Sequence, residues 1–295
     1  MTTQHTPSAA APVLALLTGA LLWGLAWWPL KYFGSAGISG NLMVSVSYGL
    51  VAILGLPVLW RQRRQWQRQA GLFLLIAVLG GWANTSLVNA LMSGNVVRVM
   101  LLFYMAPVWG VLAGRLFLGE HISLHRGAAL ALALVGAFVL LGGQAAFITP
   151  LSPIDMMALS AGLAFALTNV TTRAAHAIPL ASKTLVIFLG CTVTATTAAL
   201  TIGQTLPALP ASVWGLIGLF SLTWLALATL ATQYGVTHMQ AGRASVLLIL
   251  ELVAAVISAM LIGGETLRPQ EWIGGVLIAC AALLEARTPQ LLPAR

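Results

Sequence analysis

The sequence is a succession of long apolar runs separated by short polar or Gly/Pro-containing connections. Only 7% of the residues are charged, whereas a soluble domain carries about 25%, so this chain cannot cover a water-facing surface. A bilayer core is crossed by about 20 apolar residues in one helix, and many of the runs have this length. The sequence therefore predicts an all-α integral membrane protein.

Cutting the chain at its polar and Gly/Pro positions predicts ten transmembrane helices. The connections between them are too short to hold a soluble domain. The predicted spans are 13–32, 40–60, 71–91, 95–118, 124–142, 154–174, 182–203, 211–235, 241–262 and 270–286.

The basic residues indicate how these spans are oriented. Ten spans place Lys31, Arg98 and Arg268 on one side of the membrane and the other eleven of the 14 Lys and Arg residues on the opposite side. Positive charge near span ends marks the cytoplasmic side. Both termini are therefore expected in the cytoplasm. The protein is expected in the plasma membrane, that is, in a bacterial inner membrane. Residues 1–12 contain no Lys or Arg, so the first run is expected to be a retained span and not a signal peptide.

Two stretches of the chain repeat one another. The stretch "RVMLLFYMAPVWGVLAGRLFLGE" (98–120) aligns without gaps with "RASVLLILELVAAVISAMLIGGE" (243–265), from an initial Arg to a final Gly-Glu. A weaker match pairs 21–31 with 163–173 and ends at Lys31 and Arg173. The predicted units are a tail (1–12), a first five-helix repeat (13–143), a second (154–286) and a tail (287–295). Because five is odd, the repeats must be inverted relative to each other, which is the plan of many secondary transporters.

The repeated segments resemble a known family. "APVWGVLAGRLFLGE" and "LELVAAVISAMLIGGE" resemble the paired signature of EamA-type permeases in the drug/metabolite transporter superfamily, and "LLWGLAWWPLK" is similar to the opening helix of that family. The resemblance implies a ten-helix exporter of small organic solutes such as amino acids, including aromatic ones. Leu252 stands where the family usually has Pro, so the ninth span is expected to be straighter than its counterpart at Pro107.

Aromatic and amide side chains within the spans are candidates for a substrate site. Indole N–H groups in mid-span need hydrogen-bond partners, and buried amides are costly to leave unpaired. We expect an aromatic-lined central cavity that opens to each side of the membrane in turn, by alternating access. Its predicted substrate-binding residues are Trp23, Trp82, Asn89, Tyr104, Asn169, Trp224 and Tyr234.

Glu251 is a carboxylate in the middle of the apolar run "SVLLILELVAAVIS". Acids within membrane spans usually face a protein interior or a wet cavity. Glu251 is therefore predicted either to couple or gate transport or to hold neighbouring helices together. Glu120 and Glu265 fall at span ends and are expected at the membrane interface, and Asp155 stands alone at a span edge.

Other functional classes find little support in the sequence. The chain has no His-Glu-x-x-His or Gly-x-Ser-x-Gly motif, so no enzyme activity, catalytic residue, metal site or cofactor is predicted. The expected partners are a small-molecule substrate and the lipid bilayer, with no nucleic acid and no obligatory protein partner. Two alternatives to an amino-acid exporter remain open: a proton-coupled antiporter of drugs or other metabolites, and a channel-like facilitator.

Overall fold

The structure, a computed structural model, describes residues 10–118, 124–140, 151–238 and 241–287. In these ranges the chain forms helices and short connections and no strand, which confirms the all-α prediction for them. The helices are α1 (Ala10–Gly24), α2 (Trp27–Ser35), α3 (Gly40–Arg61), α4 (Arg63–Trp66), α5 (Ala70–Ser93), α6 (Val96–Phe103), α7 (Ala106–Leu118), α8 (Leu124–Leu140), α9 (Pro153–Ala174), α10 (Leu180–Thr201), α11 (Ala211–Leu219), α12 (Ala226–Thr237), α13 (Ala241–Leu261) and α14 (Pro269–Arg287). A 3-10 turn (Gln67–Gln69) precedes α5, and a π-helical turn (Phe220–Leu225) joins α11 to α12.

Seven helical stretches of the described chain are long and apolar enough to cross a membrane. They coincide with the first four predicted spans and with the sixth to the eighth. Three shorter apolar stretches, Gly127–Leu140, Leu247–Leu261 and Pro269–Leu284, coincide with the remaining three. The total of ten spans stays a prediction.

Two spans are broken at positions that proline chemistry explains. A proline cannot donate to the carbonyl four residues earlier, and its ring clashes with that carbonyl. Pro29 lies four residues after Leu25, where α1 gives way to α2, and Pro107 lies four residues after Phe103, where α6 ends. Helix α13 has Leu252 at the equivalent of Pro107 and runs unbroken. The predicted difference between these two spans is confirmed.

The helices of the first half pack mainly against helices of the second half. Helix α3 packs against α10, α8 against α14, α5 against α9, and α1 against both α12 and α13. The pattern is partly preserved when the two halves are exchanged: α5 and α9 correspond to α12 and α1, and the packing of α6 and α7 on α9 corresponds to that of α13 on α1. The extensive contact of α5 with α10 has a weaker counterpart, between α3 and the segment from α11 to α12. The two halves are therefore interleaved and related by an approximate two-fold symmetry.

This interleaving creates two mixed bundles. Bundle A consists of α1, α2, the segment from α11 to α12, and α13, and bundle B consists of α5, α6, α7 and α9. Helix α2 is assigned to bundle A because its Trp27 indole donates to the Ser258 hydroxyl of α13 and its Phe33 ring lies against Phe220. The pairs α3–α10 and α8–α14 flank them. Close approach within bundle A depends on Gly24, where a Cβ atom would lie 2.5 Å from the carbonyl oxygen of Glu251. The space between the bundles is the setting of the candidate site.

Candidate functional site: a cavity between two mixed bundles

A cavity lies between bundles A and B, beside the break in the first span. Both halves of the chain contribute to its walls. It is lined by Trp23, Ala26, Leu30, Tyr48, Asn84, Leu87, Val88, Leu91, Met100, Phe220, Leu225 and Glu251. Its free volume is about 40 Å³, which holds a few water molecules but not an amino acid. Binding of a solute of that size would require the walls of the cavity to move apart.

Two polar residues of this cavity escaped the sequence analysis. The Tyr48 hydroxyl donates to Oδ1 of Asn84 over 3.2 Å, and Nδ2 of Asn84 donates to the carbonyl of Gly80 over 2.9 Å. The residues of α5 that were predicted to bind substrate, Trp82 and Asn89, lie on a different face of this helix. The spacing of Asn84, Leu87, Val88 and Leu91 is that of one helix face, and this is the face that meets the cavity.

Glu251 lies where the two bundles meet. It is partly buried and lines the cavity from α13. The hydroxyl of Tyr104, in bundle B, donates to the carbonyl of Leu248 over 3.0 Å and is within hydrogen-bonding reach of the Glu251 carboxyl. Tyr104 also borders a smaller apolar cavity beside Pro107. The carboxyl thus contacts the opposite bundle and faces the central cavity.

The π-helical turn shapes one wall of the cavity. A π turn widens a helix locally and is frequent at functional sites. Here it carries Phe220 and Leu225, which both line the cavity, and Trp224 between them. The indole of Trp224 donates to the carbonyl of Leu22 over 2.9 Å, and its ring centroid lies 6.3 Å from that of Phe220. Trp224 therefore holds the turn against α1.

The remaining predicted site residues lie elsewhere. Trp82 is 47% exposed on α5 and donates to the Ser160 hydroxyl. Asn89 donates to Oδ1 of Asn41 over 2.8 Å, in an amide cluster at the end of the bundle. Asn169 is exposed on α9, and Tyr234 is 39% exposed on α12. The cavity thus brings together Trp23 and Glu251, with Tyr104 and Trp224 in its immediate support. The binding role of all seven predicted residues stays a prediction.

Glu265 joins the two bundles at the end of the molecule that carries Lys31. Its Oε1 accepts from Lys31 Nζ over 3.3 Å and from the backbone N–H of Val96 over 2.9 Å. Its Oε2 accepts from the N–H of Val97 over 3.1 Å. A carboxylate is stabilised at a helix N-terminus by the unpaired N–H groups and the helix dipole. We call this arrangement the Glu265 cap, and it ties bundle A, through Lys31 and Glu265, to the first turn of α6 in bundle B.

A second ion pair lies within bundle B at the same end. Arg98 donates to both carboxylate oxygens of Asp155, over 2.7 and 3.0 Å. Asp155 is 4% exposed and also completes a capping box with Ser152 at the start of α9. The sequence analysis expected Asp155 to stand alone and Glu265 to be merely interfacial. Their partners lie 57 and more than 160 residues away, at distances along the chain that local motifs do not cover.

The Lys31 end of the bundle is closed by helix packing as well as by the Glu265 cap. At this end, α2 of bundle A packs against α5 of bundle B. Together with the Glu265 cap, this contact closes the cavity at the Lys31 end.

Comparisons with known proteins agree with this architecture. A sequence model of the EamA-like transporter family matches residues 10–142 and again residues 152–286. Among curated proteins, none matches the chain at significant sequence similarity. A solved structure described only as "Crystal structure of protein" is similar at 18% identity and a TM-score of 0.57, over 94% of this chain and 96% of the other. That likeness shows a shared fold.

Proposed function

The chain belongs to the EamA-like transporter family, and we propose that it is a secondary transporter working by alternating access around the central cavity. The proposed cargo is small organic solutes, most of all amino acids and related metabolites, and the proposed direction is out of the cell. The observation that carries this proposal is the cavity itself, which is built from both halves and is closed at one end by contacts between bundles.

The proposed topology is ten spans in two inverted repeats. Three observations support it: each predicted span in the described chain falls on a helix, three short apolar helices stand where the missing spans belong, and the packing is partly symmetric. Under this topology both termini are cytoplasmic, and the Lys31 end faces outward across a plasma membrane.

Alternating access then corresponds to a movement of bundle A against bundle B. In the observed state the Glu265 cap holds the Lys31 end closed, and the cavity is small. Opening this end requires Glu265 to leave the N–H groups of Val96 and Val97. Opening the opposite end requires α9 and α12 to move apart. Asn169 and Tyr234 lie on those elements, and we assign them to the entry path.

A second candidate function is proton-coupled antiport. The specific observation that favours it is Glu251, a carboxyl in the wall of the cavity and in contact with the opposite bundle. A carboxyl in this position can bind a proton in one state and a substrate in the other. The response of exchange to an imposed pH gradient separates this function from simple solute exchange.

Counterflow in liposomes tests the proposed function. Purified protein is reconstituted, loaded with unlabelled amino acids, and diluted into labelled solute; we expect accumulation that exceeds that of protein-free liposomes and saturates. Trp23→Phe, in the cavity wall, is expected to lower this exchange severalfold, because the larger indole ring and its N–H donor are lost. Trp272→Phe makes the same change on an exposed residue of α14 and serves as its control. Absence of counterflow for amino acids, aromatic amines and other metabolites alike would contradict the proposal.

A further inference from the structure

We propose that the central cavity selects organic amines whose carboxyl group is absent or esterified, with the ammonium group bound at Glu251. This inference rests on the proposed transport function at the same site, and it replaces free amino acids as the preferred cargo by related amines that lack a carboxylate. It distinguishes cations with an apolar body from zwitterionic amino acids, which the family resemblance alone does not do.

The charge of the cavity carries the inference. Glu251 is the one charged side chain among the residues that line it in the described structure. Among the described basic residues on the lining elements, Lys31 and Arg98 are bound to Glu265 and Asp155, and Arg61 is exposed at the end of α3, outside the cavity lining. In the low-dielectric interior of a membrane protein, a single carboxylate favours a cation and repels an anion strongly.

The hydrogen bonds in the cavity point the same way. Tyr48 donates its only O–H to Asn84, so the Tyr48 oxygen remains available as an acceptor. Asn84 donates one of its two N–H groups to the Gly80 carbonyl. With the carboxylate of Glu251, the cavity offers acceptors to the three N–H donors of an ammonium group. The donors that remain, on Asn84 and Trp23, are neutral and do not offset the charge of a carboxylate.

The apolar walls define the body of the solute. The rings of Trp23 and Phe220 line the same cavity as Glu251, and aromatic faces attract an ammonium group when water is excluded. Leu30, Leu87 and Met100 complete an apolar lining. An amine with an aromatic or branched aliphatic body fits this combination, whereas a zwitterion would place its carboxylate beside that of Glu251.

Four probes that share one phenyl-alkyl skeleton test the inference by inhibition of counterflow. They are phenylalanine methyl ester and phenethylamine (cations), phenylalanine (a zwitterion), and 3-phenylpropionate (an anion). We expect the two cations to inhibit at concentrations about tenfold lower than phenylalanine, and the anion to be weakest, because a buried unpaired charge opposes binding. Protein-free liposomes correct for passive passage of the neutral amines.

Substitutions then connect the preference to Glu251. Glu251→Gln should abolish the preference for the cations, and Glu251→Asp, which keeps the charge, should retain it at lower affinity. Glu271→Gln removes an acid that accepts from the N–H of Arg268 outside the cavity and should leave the preference unchanged. Thermal unfolding of each purified variant checks its fold, and Glu251→Asp together with the wild-type probe series decides the matter if Glu251→Gln does not fold.

The outcomes separate this inference from the proposed function. The selectivity would be overturned, with a working transporter left in place, by either of two results. One is that phenylalanine or 3-phenylpropionate inhibits counterflow as effectively as the ester, and the other is an unchanged preference in a folded Glu251→Gln variant. Absence of exchange with every solute would instead overturn the transport function, and the inference with it.

Discussion

Replacing Glu265 by Gln should release the closed end of the bundle. The substitution removes the charge that faces Lys31 and the first turn of α6, and it places an amide N–H₂ group opposite one of the two backbone donors of Val96 and Val97. The cap crosses from bundle A to bundle B. Its loss therefore weakens the state in which the Lys31 end is closed.

The size of this effect follows from the contacts. The ion pair with Lys31 contributes little, about 0.2–1 kcal/mol, because exposed pairs are weak and the Lys31 side chain is 34% exposed. The interaction of a partly buried carboxylate with a helix N-terminus contributes about 1–2 kcal/mol. An N–H group left facing another donor costs about 1–3 kcal/mol. These contributions are not additive, and we expect about 2–4 kcal/mol in total, which corresponds to a roughly 30-fold to several hundredfold change in the equilibrium between closed and open states.

Accessibility of a cysteine in the cavity measures this change. Leu91 lines the cavity near the end of α5 and is 5% exposed, so Leu91→Cys should react slowly with an impermeant maleimide added from the Lys31 side. The native thiols are first removed as Cys191→Ala and Cys280→Ser. Adding Glu265→Gln should increase the labelling rate at least tenfold, in line with the population shift.

Two further variants decide which contact matters. Lys31→Gln keeps both backbone donors in place and should increase the labelling rate much less than Glu265→Gln. Glu271→Gln alters an acid at the same end, in the first turn of α14, that accepts from the backbone N–H of Arg268, and it should have no effect. A wild-type labelling rate in a folded Glu265→Gln protein, or an equally large effect of Lys31→Gln, would refute the role of the helix cap.

Three other predictions concern stability and topology. Arg98→Gln leaves the buried Asp155 carboxylate without its bidentate partner and should lower the free energy of unfolding by about 1–3 kcal/mol. The loss is smaller than for a fully buried pair because Arg98 is partly exposed. An unchanged thermal unfolding temperature would count against this prediction. Gly24→Ala should destabilise the protein by about 1–3 kcal/mol through overpacking against α13, whereas Gly215→Ala, where a Cβ atom meets open space, should be neutral; equal unfolding temperatures would contradict the close approach. Cysteines introduced at positions 5 and 290 should resist an impermeant thiol reagent in intact cells, and labelling of either from outside would rule out cytoplasmic termini.

Hydropathy was sufficient for the helices but not for the cavity. Length and apolarity predicted each span, and the prolines explain the breaks at Leu25 and after Phe103. The rotation of each helix about its axis is harder to predict, because lipid and protein interior are both apolar and no polar face marks the outside. For this reason the sequence pointed to Trp82 on α5, whereas the face of this helix that meets the cavity is the one with Asn84.

The location of a single residue was easier to predict where the cost of burying a charge restricts it. An acid in mid-span belongs in an interior or a wet cavity, and Glu251 lies in a cavity wall. The same argument did not predict the partners of Asp155 and Glu265, because the side chain of each accepts hydrogen bonds from residues of the other half of the chain. Pairing across the two halves requires the fold, and local sequence patterns do not encode it.

The interleaved packing has a consequence for how the protein is made. Every helical span of the first half finds its most extensive contact in the second half. Under the proposed ten-span topology, a nascent chain that has inserted its first five spans therefore still lacks the helices against which they pack. Lipid must cover those faces until synthesis continues, and assembly is postponed to the final spans. A fragment ending between the halves should be recognised and degraded when produced alone, yet persist when the complementary fragment is produced in the same cell. The connection between the halves is in that sense dispensable, and an ancestral half-length chain would have needed a second copy, inserted upside down, to bury the same faces.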